Sequence, residues 1–281
     1  MSSACDSCAQ KDGCTSQATC GKKNGIEKIP ANAKSEIKCV IGVASGKGGV
    51  GKSFVTSTLA KKLASKGLKV GIMDADITGP SIPRAFGLKG ILEATAEDNI
   101  VPAVTEGGIK AVSLNLLIDD ENSPVIWRGP VLSGLVRQFW SDVEWGMLDV
   151  LLIDMPPGTG DIPLTLFQSL PIDGLVLVST PQELVSMIVA KAGNMASMMN
   201  VKVLGLVENM AYVVCPDCGK TMNLFGSDEV LLKETSEAGI PLLDKIPLNP
   251  EVTALVDSGK TEQVNTDDML NKTAEAIEAL L

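Results

Sequence analysis

The chain has 281 residues, 24 Lys and Arg against 34 Asp and Glu, seven Cys and no His. Without histidine there is no Ser-His-Asp or Cys-His nucleophile system, no imidazole base and no Cys2His2 zinc finger, so any chemistry rests on carboxylates, lysines, hydroxyls, thiolates, backbone amides or a cofactor. A net charge of -10 with 3% aromatic residues argues against nucleic acid, which asks for cations against its phosphates and rings against its bases.

Residues 1–36 are rich in Ser, Cys, Lys, Gly and Asn, lack apolar periodicity and read as a flexible extension, with one folded domain expected over 37–281. Four of the seven cysteines, Cys5, Cys8, Cys14 and Cys20, crowd this extension. No apolar run approaches the roughly 18 residues of a membrane span, and the first residues carry no apolar signal core, so a cytoplasmic chain without a membrane partner is expected. In that compartment clustered thiols point to a metal or cluster more than to disulfides.

Beyond the extension, continuous Val/Leu/Ile-rich runs at 39–44, 69–74, 149–154, 174–180, 202–208 and 241–246 read as strands. Continuous rather than alternating apolar residues suit a sheet covered on both faces. Amphipathic stretches at 53–66, 129–142, 162–170, 181–199, 228–238 and 267–281 read as the covering helices. Alternation of this kind predicts an α/β fold with a doubly wound, mainly parallel sheet. Cys39 sits within the first strand and reads as a small core residue.

Directly after that strand comes Gly46-Lys47-Gly48-Gly49-Val50-Gly51-Lys52-Ser53, followed by a helix. This is a phosphate-binding P-loop in its proper context: glycines let successive N–H groups face the phosphates, and the helix N-terminus adds positive partial charge. Lys52 is expected on the β- and γ-phosphates and the Ser53 hydroxyl on Mg2+. Two acidic strand ends follow, Asp74-Ala-Asp76 and Asp154. Asp154 is read as the Walker B carboxylate, holding Mg2+ through water. Asp76 either orients the attacking water or caps the turn that follows, and Asp74 would stand behind the metal. Hydrolysis by this route needs positioning and charge neutralisation rather than a histidine base.

The second lysine, Lys47, gives a KGGxGK loop that resembles the deviant Walker A loop of the ParA/MinD and nitrogenase iron protein class of P-loop NTPases. Further motifs narrow the resemblance: Trp127-Arg128-Gly129-Pro130, Asp-Met-Pro-Pro-Gly-Thr-Gly-Asp at 154–161, Glu208-Asn209-Met210 and Cys215-Pro-Asp-Cys218-Gly. Together they resemble the Mrp family of iron-sulfur cluster carrier ATPases, from about residue 38 to the C-terminus. The resemblance implies ATP binding and hydrolysis, a homodimer in which Lys47 reaches the partner's phosphates, and Asn209 against the adenine. It also implies a [4Fe-4S] cluster bridging Cys215 and Cys218 of two subunits, delivered to apo iron-sulfur proteins as acceptors.

Two thiolates fill only part of a metal site, so the remaining ligands must come from elsewhere. A zinc knuckle shared with Cys5 and Cys8 is the alternative, and a redox-active or bare dithiol is another. Within the extension, Cys5, Cys8 and Cys14 match the last three cysteines of a ferredoxin-like motif in longer relatives. Cys20 would serve as the fourth ligand of a second [4Fe-4S] cluster, in place of an upstream cysteine. A positioning ATPase like MinD or ParA is the runner-up, but its basic amphipathic terminal helix has no counterpart in the acidic stretch 266–281. An electron donor like the nitrogenase iron protein would draw its thiols from widely separated single cysteines.

Overall fold

The computed structural model describes residues 28–76, 81–117, 129–158, 160–181, 196, 199–225 and 229–281. The four N-terminal cysteines, Trp127, Arg128 and most of the helix expected over 181–199 lie outside these residues.

Strand β1 (Glu36–Ser45) runs into the P-loop and helix α1 (Lys52–Ser65), and β2 (Val70–Asp74) follows. Next come a short helix α2 (Ser81–Phe86) and the small strands β3 (Ala103–Val104) and β4 (Lys110–Ser113). Helix α3 (Gly129–Ser141) leads to β5 (Met147–Asp154), helix α4 (Asp161–Ser169) to β6 (Gly174–Ser179), and β7 (Lys202–Glu208) closes this run. A hairpin of two-residue strands, β8 (Val213–Val214) and β9 (Thr221–Met222), precedes α5 (Glu229–Glu237) and β10 (Leu242–Lys245). Helices α6 (Pro250–Asp257) and α7 (Asn271–Glu278) complete the described chain.

Eight strands form one sheet in the order β10-β7-β6-β1-β5-β2-β4-β3, parallel except for β3 against β4. The predicted doubly wound, mainly parallel sheet is therefore present, and the six predicted strands are β1, β2, β5, β6, β7 and β10. Sequence reading missed β3, β4, α2 and α6, all too short to show a periodicity. It also missed the hairpin, whose two strands stand in a separate sheet. The last strand and helix are shorter than expected, β10 by one residue at each end and α7 by several.

Packing begins ahead of the expected boundary at residue 37. The Ile29 amide donates to the Ser169 carbonyl and the Trp140 indole donates to the Ile29 carbonyl, both within 2.9 Å. Lys28 reaches the carbonyls of Phe167 and Leu170 at the end of α4, where a cation complements the exposed C-terminal carbonyls of a helix.

One side of the sheet is covered by α1, α2, α6 and α7, with Val55, Leu59 and Leu63 of α1 fully buried against Ile41, Val43 and Leu152. Each such side chain contributes about 1.5–3 kcal/mol relative to exposure, before chain entropy is counted. Ala274 and Ile277 place the apolar stripe of α7 in this same layer. The other side packs Phe139 and Trp140 of α3 and Leu166 and Phe167 of α4 against Leu151, Ile153 and Leu175.

Gly205 of β7 marks the tightest approach at the sheet edge, since a Cβ there would lie 2.5 Å from the Pro241 carbonyl oxygen and 2.6 Å from Leu243 Cγ. Gly205→Ala is expected to cost about 1–3 kcal/mol through overpacking against backbone. Urea denaturation followed by circular dichroism measures it; an unchanged midpoint refutes this account of the β7–β10 edge.

Candidate functional site

The C-terminal ends of β1, β5 and β2 lie side by side, with Val43 paired to Asp154 and Asp154 paired to Asp74. That register brings the P-loop and both acidic strand ends to one rim, where ligands of open α/β sheets bind. The loop curls through left-handed backbone at Gly49 (φ 81°) and Gly51 (φ 80°), which an L side chain adopts only with strain. At Gly51 space also forbids a side chain: a Cβ would stand 2.2 Å from the Asn209 amide nitrogen. The Ser45 hydroxyl ties the loop down by donating to the Lys47 carbonyl at 3.0 Å, and Gly158 N–H donates to the Ser45 carbonyl at 2.8 Å. Lys47 itself is half-buried on the loop.

Asp154 is fully buried. Its carboxylate receives the Lys52 ammonium at 2.8 Å, the Ser53 hydroxyl at 2.6 Å and the Thr56 hydroxyl at 2.7 Å. Lys52 also meets Asp76 at 3.2 Å. Burial alone would lower the Lys52 pKa, but the Asp154 and Asp76 charges outweigh it and hold the lysine above its ordinary value. The structure thus brings four predicted residues, Lys52, Ser53, Asp76 and Asp154, to one point. It adds Thr56, which sequence reading passed over; the available signal was a hydroxyl one helical turn after Lys52 on the face bearing Val55 and Leu59.

A hydroxyl and a carboxylate converging at 2.6 Å are the hard oxygen donors that Mg2+ takes in phosphate sites, so the residues fit that ion. Asp74 lies behind them, accepting from the Ser113 hydroxyl at 2.9 Å and the Asp76 amide at 3.1 Å. Burial first, and the Asp154 charge second, push its carboxyl well above the usual range, against the pull of Ser113, Lys52 and the Asp76 N–H.

Beside the P-loop opens a cavity of about 590 Å³ lined by Gly51, Phe54, Arg84, Met210, Pro247 and Leu248 among others. Asn209 forms part of its wall; its side-chain amide donates to the Val50 carbonyl at 2.9 Å and its own N–H to the Ser179 carbonyl at 2.7 Å. Glu208, one residue earlier, is fully buried at the end of β7. Its carboxylate stands 3.4 Å from Lys245 and has no hydrogen bond to either oxygen, and burial raises its pKa.

Cys215 and Cys218 sit on the turn of the β8–β9 hairpin, half-buried and exposed respectively. The Cys215 amide donates to the Lys220 carbonyl and Gly219 N–H donates back to the Cys215 carbonyl, so the turn is closed at 3.0 and 2.9 Å. Hydrogen bonds from the Cys218 and Asp217 backbone N–H groups, then from the Cys218 side chain, lower the Cys215 pKa toward the thiolate. Among the described residues no group of three or more potential metal ligands comes together. Cys39 is the expected core thiol: buried in β1, its pKa is raised to about 12 by burial and by Asp173.

A family model described as "ParA: NUBPL iron-transfer P-loop NTPase" matches residues 36–281. An iron-sulfur cluster carrier protein of Clostridium perfringens is 49% identical over 95% of this chain and 96% of its own length. Among solved structures, a nucleotide-binding protein of Archaeoglobus fulgidus in complex with ADP is 44% identical, with a TM-score of 0.73 over 82% of this chain and 90% of its own. The cell division ATPase MinD of Pyrococcus furiosus shares the fold at 20% identity, with a TM-score of 0.61 over 87% of this chain and all of its own.

Asp74 gives the site a pH signature. An unfolded Asp titrates near its ordinary value of 3.8, while the folded group holds its proton to higher pH. Between those values the folded chain binds one more proton than the unfolded, so this group makes stability fall as pH rises. Asp74→Asn removes that dependence: its unfolding free energy relative to wild type is expected to rise as the pH is raised above the ordinary carboxylate range. A difference that stays constant as the pH is raised refutes a raised Asp74 pKa.

Proposed function

Because the chain belongs to the NUBPL-type iron-transfer family of ParA P-loop NTPases, we propose that it is an ATP-binding and ATP-hydrolysing carrier that holds a [4Fe-4S] cluster and hands it to apo iron-sulfur proteins. The observation that carries this reading is the placement of a complete P-loop constellation and a two-thiol turn on one rim, joined by the short segment from Asn209 to Cys215.

Lys52 binds the β- and γ-phosphates, exchanging its carboxylate partners for them, and the backbone N–H groups of Gly46 to Ser53 cradle the phosphate chain. Ser53 and Asp154 would hold Mg2+, which would neutralise phosphate charge when bound. Asp76, within 3.2 Å of Lys52, orients the attacking water. Asn209 and the cavity wall take the adenine, as the position of Asn209 between the P-loop and the cavity supports. Lys47 acts across a dimer, on the partner's nucleotide.

Cys215 and Cys218 supply two of the four thiolates that a cubane cluster needs, and a second copy of the chain supplies the others. Val214, Met222, Leu224 and Phe225, each at least 37% exposed, surround this turn; such apolar side chains gathered at one place suit an interface. The cysteines at 5, 8, 14 and 20 would hold a second cluster. The thiol-only ligand set and the absence of any long apolar helix among the described residues support a cytoplasmic setting.

Lys52→Ala is expected to abolish ATP turnover and weaken nucleotide binding at least 100-fold, an order-of-magnitude figure for losing a buried charge-assisted contact. Isothermal titration with ADP and a phosphate-release assay test it; retained turnover refutes the role of Lys52. Replacing Cys215 and Cys218 together by Ser is expected to remove the bridging cluster while sparing the fold, since the turn buries little. Iron, sulfide and zinc analysis after anaerobic purification decides it. Unchanged iron and sulfide refute the site, zinc in place of iron refutes the cluster, and iron lost only in part assigns the remainder to the N-terminal cysteines.

A further inference from the structure

We infer that Met210 is the mechanical link through which the nucleotide cavity controls the cysteine turn, an inference that rests on the carrier reading above. Met210 is one of four non-glycine residues with a left-handed backbone among those described, at φ 56°. An unbranched side chain adopts that region only where its surroundings hold it there, and such positions concentrate at switches. Here the surroundings are identifiable. On its N-terminal side Asn209 is pinned twice, to the P-loop through the Val50 carbonyl and to β6 through the Ser179 carbonyl. On its C-terminal side the Ala211 amide donates to the Ile246 carbonyl, and the Tyr212 carbonyl accepts from the Leu248 amide at 2.8 Å.

The partner strip is itself cavity wall. Pro247, Leu248 and Asn249 line the same space as Met210 and Asn209. Two latched strips of backbone therefore wall the cavity, and one of them continues without a break into Val213, Val214 and Cys215. The hairpin has only two residues in each strand, so it cannot set its own direction. Its orientation follows from the strip, and the strip turns at Met210.

A purine filling the cavity packs on the Met210 side chain and fixes the left-handed turn. The hairpin is then held in one orientation and its two thiolates are presented to the cluster at a lower entropy cost. With the cavity empty the turn is held by the backbone latches alone, and the thiolates are presented less firmly. Nucleotide and cluster thus favour the same arrangement of one segment, which is positive coupling between two sites. Coupling of this kind is reciprocal, so a loaded cluster must tighten nucleotide binding by the factor by which nucleotide tightens the cluster.

The test is the affinity for ADP, measured by isothermal titration under anaerobic conditions on the full chain with and without its reconstituted cluster. Wild type is expected to bind ADP about fivefold or more tightly when loaded, the low end of ordinary allosteric coupling. Met210→Gly accepts the left-handed turn without a side chain to press upon, and its loaded and unloaded affinities are expected to coincide. Met210→Leu keeps a side chain of similar volume and is expected to retain most of the wild-type ratio, which separates the link from mere damage to the cavity. Equal affinities for loaded and unloaded wild type overturn the proposal, as does a Met210→Gly chain that keeps the full ratio. Both results leave the carrier reading standing, whereas a chain that takes up no iron and sulfide refutes that reading and the link with it.

Discussion

The Asp154 carboxylate is taken wholly out of water at the end of β5, which by itself would cost several kcal/mol. The expense is offset only because α1 places Lys52, Ser53 and Thr56 around it, all three within 2.8 Å. Those three side chains reach one carboxylate only if the first turn of α1 lies against the sheet in one orientation. The P-loop between β1 and α1 is then closed from both ends, and its left-handed glycines follow from the closure. Asp154 also hands its carbonyl to the Ala75 amide at 3.0 Å, which draws the segment bearing Asp76 to the same point. One buried charge therefore ties three chain segments together at the rim, where the sheet and α1 already bring them side by side.

The same rim holds two other buried carboxyls, and each is handled differently. Asp74 lies behind Asp154 with a hydroxyl and an amide as donors but with a like charge nearby, and its pKa rises. Glu208 has the Lys245 ammonium at 3.4 Å and no hydrogen bond to either oxygen. Unlike Asp154, neither has charge-assisted bonds enough to make the ionised form comfortable. Asp154 differs from both in having a cation at 2.8 Å and two hydroxyl donors.

Much of this rim was legible in the sequence, and the reasons differ by residue. Gly46 to Ser53, Asp76 and Asp154 are legible because phosphate chemistry fixes both residue type and spacing along a strand-loop-helix unit. The central strands are legible because a sheet covered on both faces needs unbroken apolar runs. Helix α6 escaped notice even though its start is marked by an Asn249 side chain that caps two amides, with Pro250 as its first residue; at eight residues, its apolar pattern is too short to separate from a loop. Thr56 escaped because a threonine within an apolar helix face reads as core until the carboxylate opposite it is known. Residues 28–35 escaped because their attachment is made by scattered single contacts, such as the Lys28 ammonium on the carbonyls of Phe167 and Leu170 and Lys34 between Glu97 and Glu144, which no periodic pattern announces.

The cysteine turn stands at the other extreme from Asp154. Its strands are too short to be stable alone, its apolar neighbours are exposed, and its thiols have no third ligand among the described residues. What order it has comes from the backbone latches at Ala211 and Tyr212, from the short β8–β9 pairing and the bonds that close the turn, and from the amides that favour the Cys215 thiolate. A site so built would take a soft metal through ligands that are chemically ready and geometrically incomplete, and the metal would then contribute to the folding of its own site. Incompleteness suits cargo better than a resident cofactor, since a group held by a full, rigid ligand set is costly to give up. The stiff end of the segment, at Asn209, and the soft end, at Cys215, are then two parts of one arrangement: the first is pinned to the P-loop and β6, and the second is held only by its own short hairpin.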